Sequence, residues 1–296
     1  MKRFITSETN PIIVKKVGYI DVRNNEELQK NAEIISKETG VPFGQVYAYK
    51  YINQWIKIEN EWYYCKVKHD FYLANELLGE VISQYFGLDT VHYQIIRLLG
   101  NNCEIYTIMS KNICDPNAIF KKPSDFRDFQ YYNELEVLDN LHSLCKSESE
   151  HQLLLSDIKK LFIRDFYVSQ NDRNEYNFMF RIDEDGIRLA PLFDYERSFN
   201  PTAPKEYFNS YGSTTLKKYY NFMGSIDMDN EKTICRLRDD EEFQRLLYLI
   251  MDAKMELLIQ CVEDNHRIII PSDYKEIYLN HDKEMKKIIR ESNVLQ

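Results

Sequence analysis

The 296-residue chain reads as an α+β protein of two lobes: a small, β-rich N-terminal lobe over residues 1–110 with one helix against its strands, and a larger, mainly helical lobe over 111–296. Three observations carry that reading. Short aromatic-rich runs bounded by turn residues fill much of the first third, and from Phe126 onward apolar residues recur at helical spacing. Between two of those helical stretches lies a polar loop followed by a short hairpin, Ser169 to Ser198.

Glu26 to Thr39 has a helical pattern and stops at Gly40. Strands are expected across 45–68. Within them Gln54-Trp55-Ile56-Lys57-Ile58 and Trp62-Tyr63-Tyr64-Cys65-Lys66-Val67-Lys68 hold the aromatic and β-branched residues that fit a pleated surface, with Glu59-Asn60-Glu61 as the turn between them. Leu73, Leu77, Leu78, Val81, Ile82, Tyr85 and Phe86 then fall at helical spacing over 72–86, and Gly87 ends the segment. Two further strands are expected near 91–98 and 103–109. Thr107-Ile108-Met109-Ser110 is read as the hinge, where backbone groups, Met109 among them, meet an adenine ring. Helical patterns follow over 126–146, 151–169, 241–262 and 272–291, and a ligand cleft is expected between the lobes. Phe178 to Ile182 and Ile187 to Ala190 read as two strands joined by Asp183-Glu184-Asp185-Gly186, because Asp-Gly favours tight hairpin turns.

The loop and hairpin carry the chemistry. Asp172 and Asn177 stand five residues apart after an apolar helical segment, and Asp194 follows a second short apolar run. That is the order in which phosphoryl-transfer enzymes of the kinase type place a catalytic carboxylate, a metal-binding amide and a metal-binding carboxylate. Such transfer asks for a group to orient the attacking hydroxyl and for oxygen ligands to Mg²⁺ beside the nucleotide phosphates. A hairpin with Asn177 at its entrance and Asp194 beyond its exit lets both face one ion. Side chains alternate along a strand, so Lys66 and Lys68 share a face and both are candidates for the phosphate-pairing cation.

These residues resemble the HipA-like serine/threonine kinases, whose catalytic loop has the form N-x-D-x-H-x-K-N-F and is followed by a strand and an L-A-P-x-Y-D segment. The chain has Asn171-Asp172-Arg173-Asn174-Glu175-Tyr176-Asn177-Phe178 and Leu189-Ala190-Pro191-Leu192-Phe193-Asp194. The likeness implies a two-lobed protein-kinase-like fold, ATP and Mg²⁺ as cofactors, Asp172 as the catalytic residue, and Asn177 and Asp194 as metal ligands. It favours Lys66 as the strand lysine and Glu76, at the start of a regulatory helix, as its partner, with Glu80 one turn later as the competitor. Asn174 stands where the family usually has His and Tyr176 where a basic residue is common; loss of a cation beside the transferred group removes transition-state stabilisation.

Composition bounds the remainder. A net charge of −9 and a pI near 5.3 argue against general DNA or anionic-membrane binding, which needs clustered Lys and Arg. No run of eighteen apolar residues and no signal-peptide core occur, so a cytoplasmic protein, or one secreted without a cleaved signal peptide, is expected. The six cysteines show neither C-x-x-C nor a Cys/His cluster and read as reduced thiols. There is no G-x-G-x-x-G and no G-x-x-x-x-G-K-[ST], so Gly44-Gln45-Val46-Tyr47 or Tyr51-Ile52-Asn53-Gln54 has to cover the nucleotide. Ser198, Ser210, Ser213, Thr214 and Thr215 lie in the loop after Asp194, which meets the substrate in kinases. The expected activity is an ATP- and Mg²⁺-dependent kinase acting on a protein substrate. The resemblance implies a toxin or effector role and an antitoxin or regulatory partner, and the alternative is a pseudokinase or nucleotide-binding module without efficient transfer.

Overall fold

The computed structural model of the chain describes residues 11–13, 18–19, 26–41, 51–52, 55–66, 70–100, 103–115, 117–126, 135, 137–170, 172–174, 177–199, 218–221 and 224–296. The early elements are β1 (Pro11–Ile13), β2 (Gly18–Tyr19), α1 (Glu26–Thr39), β3 (Tyr51–Ile52), β4 (Trp55–Ile58), β5 (Glu61–Lys66), α2 (Asp70–Tyr85), β6 (Tyr93–Gly100) and β7 (Cys103–Lys111). There follow β8 (Ile119–Lys121), α3 (Val137–Asn140), α4 (Glu148–Tyr167), β9 (Phe180–Asp183) and β10 (Gly186–Leu189). The chain closes with β11 (Lys218–Asn221), β12 (Gly224–Asp227), α5 (Glu231–Asp239), α6 (Glu241–Asp252), α7 (Met255–His266) and α8 (Ser272–Glu291). The architecture is α+β, a small sheet region with a mostly helical remainder.

The main sheet has the order β1-β6-β7-β5-β4, antiparallel except for the parallel β1–β6 pair. Glu59 and Asn60, both with positive φ (48° and 67°), form the two-residue turn of the β4–β5 hairpin. That left-handed pair matches the twist of the flanking strands. Glu61, expected in the turn, is the first residue of β5 and faces Ile58.

β7 lies between β5 and β6, so Met109 is opposite both Cys65 and Gln94. Thr107–Ser110, read as the hinge from sequence, lie inside a strand laddered on both sides, and Met109 is buried there. The chain leaves the sheet after Lys111, and Asn112 N donates to Trp62 O at 2.8 Å.

α2 is buried from Leu73 to Ser83, including Glu76 and Glu80, and burying two carboxylates requires compensating partners. Gly87, at φ 68°, closes it: Gly87 N donates to Gln84 O and Leu88 N to Ser83 O, a pairing that satisfies the last carbonyls of a helix. α4 is capped by Ser147, whose hydroxyl accepts from Glu150 N at 3.2 Å, and it buries Arg164 and Asp165 among apolar neighbours. Beyond it, β9 pairs antiparallel with both β10 and β8 in a three-stranded sheet of order β10-β9-β8, and a two-residue turn at Glu184-Asp185 joins β9 to β10.

The helical pattern over 241–262 is two helices, because the backbone leaves helical geometry at Ala253 (φ −57°, ψ 135°). α5 and the β11–β12 hairpin were not anticipated. Of the pattern over 126–146, residues 137–140 are α-helical, while 127–134 and 136 lie outside the described residues. The same holds for Gly44 to Tyr47, Asn53, Gln54, Lys68, Asn171, Glu175, Tyr176, Ser210, Ser213, Thr214 and Thr215. Among the described residues no helix is long and apolar enough to cross a membrane.

Candidate active site

Lys66 closes β5, and its ammonium bonds both the Glu76 carboxylate on α2 and the Asp194 carboxylate beyond β10. Burial alone disfavours the ammonium, but the charges of Asp194 and Glu76 push its pKa well above the ordinary lysine value. Glu76 is fully buried and saturated: it also accepts from Tyr93 Oη at 2.6 Å, Tyr195 N at 3.0 Å and Glu196 N at 3.1 Å. Glu80, the other candidate on this helix, instead accepts from Tyr93 N at 3.1 Å and bonds His92 Nδ1 at 3.0 Å.

Asp194 has φ 64°, a left-handed conformation rare outside glycine, and Gln170 Nε2 donates to its carbonyl at 2.7 Å. The turn after it is tied to α2 by Asn75, whose Nδ2 donates to Glu196 O and Ser198 O, both at 2.9 Å. α2 approaches this turn closely because residue 79 is glycine. A Cβ built there would stand 2.4 Å from both Cβ and Cγ of Tyr195.

In the Asp172–Asn177 loop, Asn174 Nδ2 donates to Asp172 Oδ1 at 3.0 Å and Asn177 Nδ2 to Asp172 O. Asn177 therefore commits its amide nitrogen and keeps its oxygen as the acceptor end. Asp172 is half-buried, and burial first and the Asp194 charge second push its carboxyl above the ordinary aspartate value. Arg173, almost fully buried, donates from Nη1 to Asn177 O and to Phe193 O, the latter at 2.9 Å, and from Nε to Asp165 Oδ2 at 2.8 Å. The loop of Asp172 and Asn177 is thus joined to the segment of Asp194 through one guanidinium.

Lys66 and Asp194 line an open cleft, a concave site with apolar walls and a few convergent polar groups. Val41, Trp55, Val91 and Met179 line its apolar part, and Ser110 to Cys114 form one edge, the position expected of Met109. Carboxylate oxygens of Glu76, Asp194 and Glu196 lie within 4.8 Å of one another, although Glu76 is committed to Lys66 and to backbone amides.

Sequence reasoning did not anticipate Arg173, Asp165, Tyr93 and Gln170. A signal existed for one of them: Arg164-Asp165 interrupts the apolar run Leu161-Phe162-Ile163 and Phe166-Tyr167, and charges in such a run are buried only when paired. Tyr93 and Gln170 reach the site through contacts between distant parts of the chain, which periodicity does not reveal.

No protein-family model and no curated protein matches the chain. Among solved structures it is similar to the Helicobacter pylori proinflammatory kinase CtkA, with a TM-score of 0.57 and 15% identity over 80% of this chain and 91% of that one. A second is HipA of Shewanella oneidensis MR-1, solved with HipB and operator DNA, with a TM-score of 0.48 and 10% identity over 78% of this chain and 58% of that one. At this identity the likeness to CtkA is one of architecture, and the chain has a fold similar to that of this kinase.

Proposed function

We propose that the chain is an ATP- and Mg²⁺-dependent serine/threonine protein kinase of the HipA-like type, with an N-terminal lobe over 1–110 and a C-terminal lobe over 111–296 meeting at the cleft. The observation that carries the reading is the buried Lys66, held between Glu76 and Asp194 at the polar end of an apolar cleft. The residues fit a magnesium nucleotide: Asp194 and Glu196 gather negative charge near one buried lysine, and Asp172, its carboxyl raised first by burial and then by the charge of Asp194, adds a third carboxylate whose charge a divalent cation relieves. Asn177 and Asp194 are its ligands. When bound, Mg²⁺ and ATP supply the transferable phosphoryl group and neutralise the charge that spreads over it.

The chain's own groups do the remainder. Lys66 pairs with the phosphates and Glu76 keeps it extended toward them. The apolar walls take the base, beside the edge formed by Ser110 to Cys114. Asp172 orients the acceptor hydroxyl of a protein substrate and receives its proton. On the same resemblance we assign a toxin or effector role, with an antitoxin or regulatory protein as partner.

Calorimetry and phosphate transfer test the reading together. ATP should bind with Mg²⁺ or Mn²⁺ and much more weakly without, and Asp194→Ala should abolish the difference. Asp172→Asn should leave nucleotide affinity within a few-fold while lowering phosphorylation by about a hundredfold or more. A wild-type chain that binds the nucleotide but phosphorylates neither itself nor any acceptor is a nucleotide-binding module, not a kinase.

A further inference from the structure

We propose that Arg173 is the positioning residue of this site: one guanidinium fixes the separation between the loop that carries Asp172 and Asn177 and the segment that carries Asp194. The proposal rests on the phosphotransfer reading, since it says how the two halves of that machinery are held together. Nη1 donates to the carbonyls of Asn177 and Phe193, the residue before Asp194. Nε and Nη2 face the two oxygens of Asp165 at 2.8 and 3.3 Å, so the fork is clamped on one side while it bridges on the other. A planar guanidinium can do this, whereas the single nitrogen of a lysine cannot span both sets of acceptors.

The clamp is itself anchored. Asp165 Oδ1 accepts from Arg164 Nη1 at 2.6 Å, and Arg164 Nη2 donates to Gly79 O on α2 at 3.2 Å. The Arg164 guanidinium lies 4.4 Å from the centroid of the Tyr195 ring, the residue after Asp194. One buried line of contacts therefore runs from the helix of Glu76 through Arg164 and Asp165 to Arg173 and the catalytic loop. Arg164 and Asp165 have fully buried side chains, so solvent does not compete for these bonds.

Arg173→Lys keeps a cation opposite Asp165 and removes the fork. Two quantities are measured on the full chain: the gain in ATP affinity on adding Mg²⁺, and the transfer rate at saturating Mg²⁺ and ATP, each normalised to the folded fraction. The variant should lose about tenfold or more in both, because small misplacements of reacting groups cost about a hundredfold in rate, while ATP affinity without metal stays within twofold. A merely structural role would lower the thermal midpoint without changing either quantity per folded molecule, and that result overturns the proposal. If Arg173→Lys does not fold, Asp165→Asn, measured on its folded fraction, serves, weakening the bonds to Arg173 and Arg164 but keeping the Arg173 fork: a smaller loss of the same two quantities supports the proposal and no loss overturns it. If the wild type transfers nothing, the kinase reading fails and the binding gain alone still decides the role of Arg173. A wild type with neither transfer nor a metal-dependent gain overturns both.

Discussion

Gly79→Ala tests how closely α2 must approach the turn after Asp194. The added Cβ would stand 2.4 Å from Cβ and Cγ of Tyr195, and restoring ordinary carbon–carbon contact requires a displacement of about 1 Å. Tyr195 cannot easily yield. Its ring lies under Arg164, its hydroxyl bonds Thr90, and its own N–H donates to Glu76. Two effects compete. Alanine gains about 1 kcal/mol over glycine inside a helix, and overpacking a closed core costs about 1–3 kcal/mol. Because the obstructing atoms sit at the root of a fixed side chain, overpacking should fall at the upper end of its range and win by up to about 2 kcal/mol, lowering the thermal midpoint by a few degrees for a chain of this size. The same displacement draws Glu76, one turn earlier, away from Tyr195 N and Glu196 N, so affinity for magnesium and ATP should fall as well. Calorimetric melting and nucleotide titration of the purified variant measure both. A variant that melts higher than wild type and binds nucleotide equally well would refute the close approach and the coupling built on it.

Tyr93→Phe should cost about 1–2 kcal/mol in urea unfolding, because the hydroxyl bonds a buried carboxylate at 2.6 Å, and an unchanged midpoint would count against that bond. Ionised Asp172 opposes folding above its raised pKa, so Asp172→Asn should melt at or above the wild-type temperature at neutral pH. That difference should vanish as the pH falls below the ordinary aspartate value, and melting curves across pH check the sign. Asp165 behaves oppositely: burial resists its charge, but the guanidiniums of Arg173 and then Arg164 hold its carboxyl below the ordinary range. Its stabilisation is complete above the ordinary aspartate value and is lost as pH falls through the depressed one, so Asp165→Asn should destabilise at neutral pH and progressively less in acid. Burial pushes the Cys65 and Cys114 thiols up to about 12, so a thiol reagent at neutral pH should label exposed Cys261 well before either, as peptide mass mapping would show.

The parts of this fold legible in the sequence are those specified by local pattern. α2 announced itself by its apolar spacing and Gly87, and the β9–β10 hairpin by Asp185-Gly186. Met109 illustrates the limit: a strand at the edge of a sheet and one inside it share a local pattern, and only the pairing of β7 with both β5 and β6 shows that it is central. The break at Ala253 carries neither glycine nor proline and so left no mark in the periodicity of 241–262. The site residues were named by spacing and resemblance, whereas the contacts that join them, Tyr93 to Glu76 and Arg173 to Phe193, link segments remote in sequence. Glu76 shows a subtler limit: a carboxylate on a helix ordinarily indicates a solvated face, and its burial becomes evident only once its donors are in place.

The carboxylate of Glu76 receives a lysine ammonium, a phenol and two backbone amides from three separate stretches of chain. Four donors sharing two oxygens do not contribute independently. Removing one lets the carboxylate settle toward the other three, and removing a second then costs more than it would have alone. In a thermodynamic cycle, Tyr93→Phe and Lys66→Met should therefore show a coupling energy of about 0.5–3 kcal/mol, as groups in one network do. Single replacements around this hub thus understate its cohesion, because each leaves the remaining donors free to compensate.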